Sequence, residues 1–126
     1  MLANQILLQQ KDAEPAQITR ARQYIEANSH EELSLAIVAR QANMSSFYFC
    51  KKFKQVTGVN FNRFVSCVRV EKAKNMLLNP SYRVSEIAFE VGFQSLTHFN
   101  RVFKNIAGQS PTEYRRHLSA KLNATK

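Results

Sequence analysis

The chain has 126 residues, enough for one domain or two very small ones, and 44% of them are hydrophobic. Its 18 Lys and Arg against nine Asp and Glu give a net charge of +9. The excess is one-sided, because residues 1–44 carry four basic and five acidic side chains whereas residues 45–126 carry 14 and four. Such a field is typical of a protein that binds a polyanion, usually a nucleic acid, although a merely solvated basic surface fits the charge alone equally well.

The composition argues against several other classes of protein. Cys50 and Cys67 lack CxxC spacing and follow no secretory signal, which predicts reduced thiols in a cytoplasmic protein. The longest apolar run, 35–39, is far shorter than the roughly 20 residues that span a bilayer, so no membrane association is expected. Asp12 is the single aspartate and the three histidines are scattered. The sequence therefore predicts no metal site, no cofactor and no enzymatic activity.

Few glycines and prolines, and no long alternating apolar and polar runs, predict an all-α fold. The N-terminal residues, 1–14, are apolar at Leu2, Ile6, Leu7 and Leu8 and then become charged. They are interpreted as a linker or tail. Either a sensing or dimerising domain precedes this segment, or it is a frayed N-terminus.

The next segment, 15–59, is predicted to form a first helix-turn-helix subdomain. Ser34 is placed to cap the second helix, and Asn43 suits a left-handed turn because its short polar side chain tolerates a positive φ. Gly58 is expected to end the recognition helix. The predicted helices of this subdomain are 15–28, 35–42 and 45–57.

A linker helix is predicted over 60–79, where roughly nineteen helical residues span about 28 Å. That length is close to the roughly 34 Å of one DNA turn. The residues predicted to form one buried apolar stripe along it are Phe61, Phe64, Val65, Val68, Ala73, Met76 and Leu77. The second subdomain is predicted over 80–118, with Gly92 in its turn at no steric cost and Phe93 plugging the core beneath it. Residues 119–126 are expected to be a C-terminal tail that is disordered from Lys121 onward. The predicted helices of the second subdomain are 84–90, 95–107 and 111–118.

The two subdomains repeat each other. Residues 49–54 read FCKKFK and residues 99–104 read FNRVFK, and a glycine follows each segment. These segments are 50 residues apart, whereas the turn residues Asn43 and Gly92 are 49 apart, which predicts one extra residue in the second turn. A helical solenoid needs at least three repeats, so two linked modules fit better.

With these motifs in place, the chain resembles the DNA-binding region of AraC/XylS-type bacterial transcription regulators. The resemblance covers residues 18–118. Asn43 stands where the family usually has Gly, and Lys52, where it usually has Leu, is expected to extend along the core edge or to contact a phosphate. The matching residues are Arg69, Ala73 and Leu77-Leu78 in the linker helix, then Ile87-Ala88, Val91-Gly92-Phe93, the FNRVFK segment and Gly108-x-Ser110-Pro111-x-Glu113-Tyr114-Arg115.

On each predicted recognition helix the phenylalanines take one face and leave the opposite face for DNA bases. Phe47 is expected to pack on a thymine methyl, although for Phe47 and Leu96 a place in the core is the alternative. His98, at the edge of the face, is expected to meet a phosphate or water. The predicted contact residues are Ser46, Phe47, Cys50, Lys51 and Lys54 in the first module and Gln94, Ser95, Leu96, Thr97, Asn100, Arg101 and Lys104 in the second.

Their chemistry suggests different roles. Arg101 to guanine and Asn100 to adenine are the strongest candidates, since both side chains make bidentate contacts worth about 1 to 3 kcal/mol of discrimination. Lys51 can donate to guanine, Cys50 can pack on a thymine methyl, and Lys54 lies one turn further on for a phosphate.

The sequence and the resemblance together predict a transcriptional regulator that binds specific double-stranded DNA and reads two successive major grooves as a monomer. The resemblance implies a cytoplasmic, nucleoid-associated bacterial protein that contacts RNA polymerase to activate promoters. One alternative is a nonspecific architectural DNA-binding protein. Another is a protein-interaction module that has this fold but does not bind DNA.

Overall fold

The computed structural model describes residues 14–124 and confirms the predicted all-α class, since every regular element in this range is a helix. The apolar N-terminal segment that was interpreted as a linker or tail lies outside the described residues. The helices are α1 (Ala16–Asn28), α2 (Leu35–Gln41), α3 (Ser46–Thr57), α4 (Phe61–Leu77), α5 (Val84–Glu90), α6 (Leu96–Ala107) and α7 (Pro111–Ala124).

The described residues divide into two compact units. The first unit contains the residues up to Asn28 together with Leu33–Arg63, and the second contains Ser29–Glu32 together with the chain from Phe64 onward. The long helix α4 is therefore shared between the units. The loop between α1 and α2 also belongs to the second unit, although its neighbours in sequence belong to the first.

Serine caps and a glycine set the ends of the helices in the first unit. The Ser34 hydroxyl accepts from the Ile37 amide at 3.1 Å and begins α2, and the Ser45 hydroxyl accepts from the Tyr48 amide at 3.2 Å and begins α3. Gly58, with φ of 83°, ends α3. Ser45 is thus the cap of the recognition helix rather than its first helical residue.

An aromatic cluster fills the core of the first unit. Phe49 and Phe53 of α3 are fully buried, and their ring centroids lie 5.3 Å apart. Phe61 at the start of α4 packs edge-on against both rings, at 6.1 and 6.4 Å. Because these rings hold one side of α3 inside the core, the opposite side faces outward.

The two turns between paired helices share one hydrogen-bonding pattern. After α2, the Met44 amide donates to the Ala39 carbonyl at 2.9 Å across Asn43, whose φ is 57°. After α5, the Phe93 amide donates to the Ala88 carbonyl at 3.0 Å across Gly92, whose φ is 114°. Four residues separate α2 from α3 and five separate α5 from α6. The predicted extra residue and the left-handed Asn43 are both confirmed.

The second unit has its own aromatic and aliphatic core. Phe93 is buried as predicted, and its ring packs edge-on against Phe99 at 5.2 Å. Phe103 packs against both Phe99 and Tyr114, each at 5.6 Å. The buried residues of this core are Val70, Ala73, Leu77, Ile87, Ala88, Val91, Phe93, Phe99 and Phe103.

The residues of the apolar stripe predicted for α4 are buried or half-buried, but they are divided between two cores. Phe61 packs in the first core, whereas Val70 and Leu77 pack in the second. Val70 was not among the residues of the predicted stripe. The Asn60 side chain accepts from the Arg63 amide at 2.8 Å and begins the helix, so its 17 residues are about 26 Å long rather than 28 Å.

The closing helix α7 begins with a reciprocal cap. The Ser110 hydroxyl accepts from the Glu113 amide at 3.2 Å, while the Glu113 carboxylate accepts from the Ser110 amide at 3.0 Å. These bonds lower the pKa of Glu113 below its ordinary value. The helix continues to Ala124, so the predicted end at Leu118 is too early. The predicted C-terminal tail begins as helix, and so does the part of it that was predicted to be disordered from Lys121 onward. Tail-like composition misled the prediction because exposed polar residues are equally common on a solvated helix.

Candidate nucleic-acid interface

The outward side of α3 carries the predicted contact residues of the first module. Phe47 is 73% exposed, which excludes a place in the core. Cys50, Lys51 and Lys54 are also exposed, and Ser46 is half-buried. The structure therefore brings these residues together on one accessible helix face, opposite the buried phenylalanines.

Two side chains on this face contact each other. The Lys51 ammonium lies 4.6 Å from the centroid of the Phe47 ring, within cation–π range. The adjacent Tyr48 is 54% exposed and was not among the predicted contact residues. An aromatic side chain next to the predicted face, one position after Phe47, is the signal that could have found it.

Helix α6 presents the equivalent face in the second unit. Phe99 and Phe103 are fully buried, and the predicted contact residues lie on accessible positions. Leu96 is 37% exposed, so it is neither a core residue nor freely solvated. The exposed members are Gln94, Ser95, Leu96, Thr97, Asn100, Arg101 and Lys104.

Ser95 is also the N-terminal cap of its helix. Its hydroxyl accepts from the His98 amide at 3.1 Å and caps α6. Among the predicted contact residues of the second module, Ser95 is the one whose side chain begins the helix. In the first unit the equivalent cap is Ser45, which was not among the predicted contact residues.

Arg101 is held by a neighbour on the same helix. Its Nη2 lies 2.9 Å from Nδ1 of His98, and both side chains are exposed. The imidazole ring of His98 in turn packs edge-on against the buried Phe93 ring, with centroids 5.6 Å apart. The guanidinium that was predicted to contact guanine thus has a defined partner in the protein without DNA.

The two faces share one sign of charge. Lys51 and Lys54 on α3 and Arg101 and Lys104 on α6 are cationic, and no predicted contact residue is acidic. The positive charge of Lys104 also contributes to lowering the pKa of the Glu113 carboxyl group. Each unit can therefore offer cations to a phosphate backbone and polar side chains to base edges from the same helix.

Other kinds of site find little support in the described residues. Within residues 14–124, no three His, Cys, Asp or Glu side chains are grouped so that they could hold a metal ion. No helix in that range is long and apolar enough to cross a membrane. Cys50 and Cys67 are free thiols.

Each unit contains a helix pair with a tight turn, and the second helix of each pair has a buried aromatic side and an exposed cationic side. This arrangement defines a helix-turn-helix DNA-binding protein. Comparison with known families gives the same class, since the helix-turn-helix domain family matches residues 38–117. The chain belongs to the AraC/XylS-type family of helix-turn-helix transcriptional regulators.

Curated relatives are regulators that are much longer than this chain. An uncharacterized HTH-type transcriptional regulator of Staphylococcus aureus is 38% identical over 92 residues, which cover 73% of this chain and 12% of that protein. The regulatory protein PocR of Salmonella typhimurium is 30% identical over 104 residues, which cover 82% of this chain and 34% of that protein. The chain thus spans about a third or less of the length of these relatives.

Two solved structures of similar fold are domains of regulatory proteins. The C-terminal domain of AraT, a response regulator from Geobacillus stearothermophilus, has a TM-score of 0.78 at 35% identity and covers 82% of this chain and 87% of that one. The DNA-binding domain of AdpA, a global transcriptional factor solved in complex with a target DNA, has a TM-score of 0.78 at 27% identity. That match covers 82% of this chain and 94% of the AdpA chain.

Proposed function

We propose that this protein regulates transcription by binding specific double-stranded DNA, and that α3 and α6 read two successive major grooves. The observation that carries the proposal is the repetition of one site, because each recognition helix buries its phenylalanines and exposes a cationic face. A recognition helix enters the major groove with such a face in helix-turn-helix proteins. The AdpA domain, which has a similar fold, was solved with a target DNA.

Base reading is assigned chiefly to the second unit. Asn100 and Arg101 are exposed next to each other on α6, and their side chains suit bidentate contacts to adenine and guanine. In the first unit Lys51 donates to guanine, while Phe47 and Cys50 offer apolar surface to a thymine methyl. The remaining predicted contact residues, Ser46, Gln94, Ser95, Leu96 and Thr97, lie in the first turn of each helix or just before it, where bases are reached first.

Phosphate contacts are assigned to the lysines further along each helix. Lys54 and Lys104 lie in the last turn of α3 and α6, away from the N-terminal residues that contact bases. Both are exposed, so their ammonium groups can approach the DNA backbone. Such contacts position the protein and carry most of the salt dependence of binding.

Footprinting on a site selected from a random duplex pool tests the two-groove reading. We expect two protected segments whose centres are about 10 to 10.5 bp apart. Replacing Arg101 by alanine removes a bidentate contact and reduces discrimination at one base pair of one segment by about 1 to 3 kcal/mol. A single protected segment that Arg101→Ala leaves unchanged contradicts the proposal.

The division between reading and positioning is tested by a pair of lysines on one helix. Lys54→Ala is expected to weaken binding evenly across sequences and to reduce the slope of log K against log salt by about one unit. Lys51→Ala is expected to relax the preference at one position instead. Binding constants for a panel of single-base variants at several salt concentrations measure both effects. An even, sequence-independent loss in both variants rules out this division.

A nonspecific architectural binder is the competing function, since a basic face alone holds DNA without reading it. Competition with random duplex at physiological salt separates the two. Specific binders prefer their site by about 10³ or more, so a preference below about tenfold supports the architectural function. Absence of binding to any duplex at low salt supports a protein-interaction module.

Further features of the regulator belong to the same proposal. Two recognition helices in one chain support binding as a monomer. The free thiols of Cys50 and Cys67 suit the reducing cytoplasm, where the proposed protein binds DNA at the nucleoid. We further propose RNA polymerase as a partner at activated promoters, which the family resemblance supports. No catalytic activity or cofactor is proposed.

A further inference from the structure

Both the backbone and the side chain of His98 make contacts within the protein before any DNA is bound. Its backbone amide donates to the Ser95 hydroxyl at 3.1 Å, which fixes the first turn of α6. Its ring packs edge-on against Phe93, which is buried in the core of the second unit. The ring therefore rests on a rigid support although it lies at the protein surface.

The contact between His98 and Arg101 fixes a protonation state. A guanidinium has five donors and no acceptor, so the 2.9 Å contact requires that Nδ1 of His98 accepts the bond. An imidazole with Nδ1 as acceptor is neutral and carries its proton on Nε2. A protonated His98 has no acceptor and brings a second positive charge next to Arg101.

A free arginine side chain on a helix surface samples many rotamers, and ordering it costs binding free energy. A hydrogen bond to a fixed ring restricts that sampling before DNA arrives. Since one N–H of the guanidinium bonds to His98, other N–H groups remain for the edge of a base. The contact can therefore orient Arg101 without occupying all of its donors.

We propose that His98 is a positioning residue that holds Arg101 for its contact with guanine, so that the specificity of the second unit depends on the protonation of His98. This inference rests on the proposed function. Specificity is expected to be full at pH values where His98 is neutral. It is lost as the pH falls, because the protonated ring repels Arg101.

The charged groups around the imidazole come from two helices. Arg101 contacts it from α6, and Arg69 of α4 lies against the same Phe93 ring, with its guanidinium carbon 5.8 Å from the ring centroid. Within residues 14–124 no carboxylate forms a salt bridge with His98. Both neighbouring charged groups are therefore guanidinium cations.

The first unit provides an internal control. The step of 50 residues places Tyr48 and Lys51 where the second unit has His98 and Arg101. Lys51 lies over the Phe47 ring, and no imidazole takes part in this contact. Base preference in the first half-site is therefore expected to be independent of pH between about 5.5 and 8, where an ordinary histidine titrates.

The experiment uses the full chain and the duplex selected from a random pool. Arg101→Ala first identifies the guanine whose replacement no longer changes affinity. Dissociation constants for the selected duplex, for the duplex changed at that guanine and for one changed in the first half-site are then measured by fluorescence anisotropy at pH 8 and pH 5.5. We expect discrimination of about tenfold or more at the Arg101 position at pH 8, as for a bidentate contact, and less than about threefold at pH 5.5. Discrimination in the first half-site is expected to be equal at both pH values.

Two variants separate positioning from a general effect of acid. His98→Gln offers an amide oxygen as acceptor at every pH, so discrimination is expected to persist at pH 5.5. His98→Leu has no acceptor and should show the reduced discrimination at both pH values. Circular dichroism verifies that both variants retain the helical fold, and affinity for random duplex verifies that they still bind DNA.

Several outcomes overturn the inference. The first is that the wild type discriminates equally at the Arg101 guanine at pH 8 and pH 5.5, and the second is that His98→Leu discriminates there as well as the wild type at pH 8. The third is that acid reduces discrimination equally in both half-sites, and the fourth is that Arg101→Ala changes the preference at no guanine. Failure of the proposed function is distinguishable, because the selection would then yield no preferred sequence at pH 8. If specific binding is found but does not depend on pH, the role of His98 is contradicted and the proposed function is not.

Discussion

Replacing Gly92 by alanine is expected to destabilise the second unit by about 3 kcal/mol. The φ of Gly92 is 114°, a conformation that residues with a side chain rarely adopt. An added Cβ would also lie inside van der Waals contact of the Ser29 carbonyl oxygen and 2.9 Å from Nε of Arg69. Backbone strain and displacement of a buried carbonyl act together. The loss of stability is therefore larger than for alanine at a glycine whose positive φ is the sole constraint.

Gly58 and Gly108 provide matched controls for this prediction. Each has a φ of 83°, and a Cβ at either would meet no atom within 4 Å in the described part of the chain. Alanine at these positions adds only backbone strain, about 1 kcal/mol. Urea unfolding followed by circular dichroism measures all three variants. If Gly92→Ala costs no more than Gly58→Ala, the close approach of Ser29 has no energetic role.

Replacing Arg69 by methionine is expected to cost the second unit about 3 kcal/mol as well. Nε of Arg69 donates to the Ser29 carbonyl at 2.8 Å, and Nη2 donates to the Glu31 carbonyl at 2.9 Å. Ser29 is fully buried, and its hydroxyl accepts from the Lys72 ammonium at 2.6 Å. Burial lowers the pKa of Arg69, yet a guanidinium stays charged at neutral pH, so both bonds are charge-assisted.

Two further variants show whether the geometry of Arg69 matters. Arg69→Lys keeps the charge but loses the planar fork, and about half of the destabilisation is expected to remain. Arg101→Met removes an exposed arginine of the same unit and should change the free energy of unfolding by less than about 0.5 kcal/mol. The same urea titrations measure these variants. Equal stability of Arg69→Met and Arg101→Met contradicts the structural role of Arg69.

Local features of the sequence were sufficient to predict most of the helices. Ser34 caps α2, and Gly58 ends α3 as predicted, because capping and left-handed turns depend on residues close in sequence. Asn43 adopts the predicted positive φ for the same reason. The exposed faces of α3 and α6 also followed from helical periodicity, since burying Phe49 and Phe99 directs the residues on the other side outward.

Other features required contacts between residues distant in sequence. Ser29–Glu32 belongs to the second unit because Arg69 binds its carbonyls from about 40 positions away, and no local pattern carries that information. Val70 is buried in the second core although it was not among the residues of the apolar stripe predicted for α4. A helix that serves two cores loses the single periodicity on which such an interpretation depends.

The sequence by itself determined that the chain is helical, that it contains two helix-turn-helix units, and which faces of their recognition helices carry cations, because periodicity and capping act within a few residues. The tertiary structure alone decided how residues are divided between the two cores. It also decided that Gly92 faces a carbonyl which excludes a side chain, and that His98 rests on Phe93 while it binds Arg101. The physical reason is that packing and hydrogen bonds depend on distances between residues far apart in the chain, which a linear pattern of residue types does not contain.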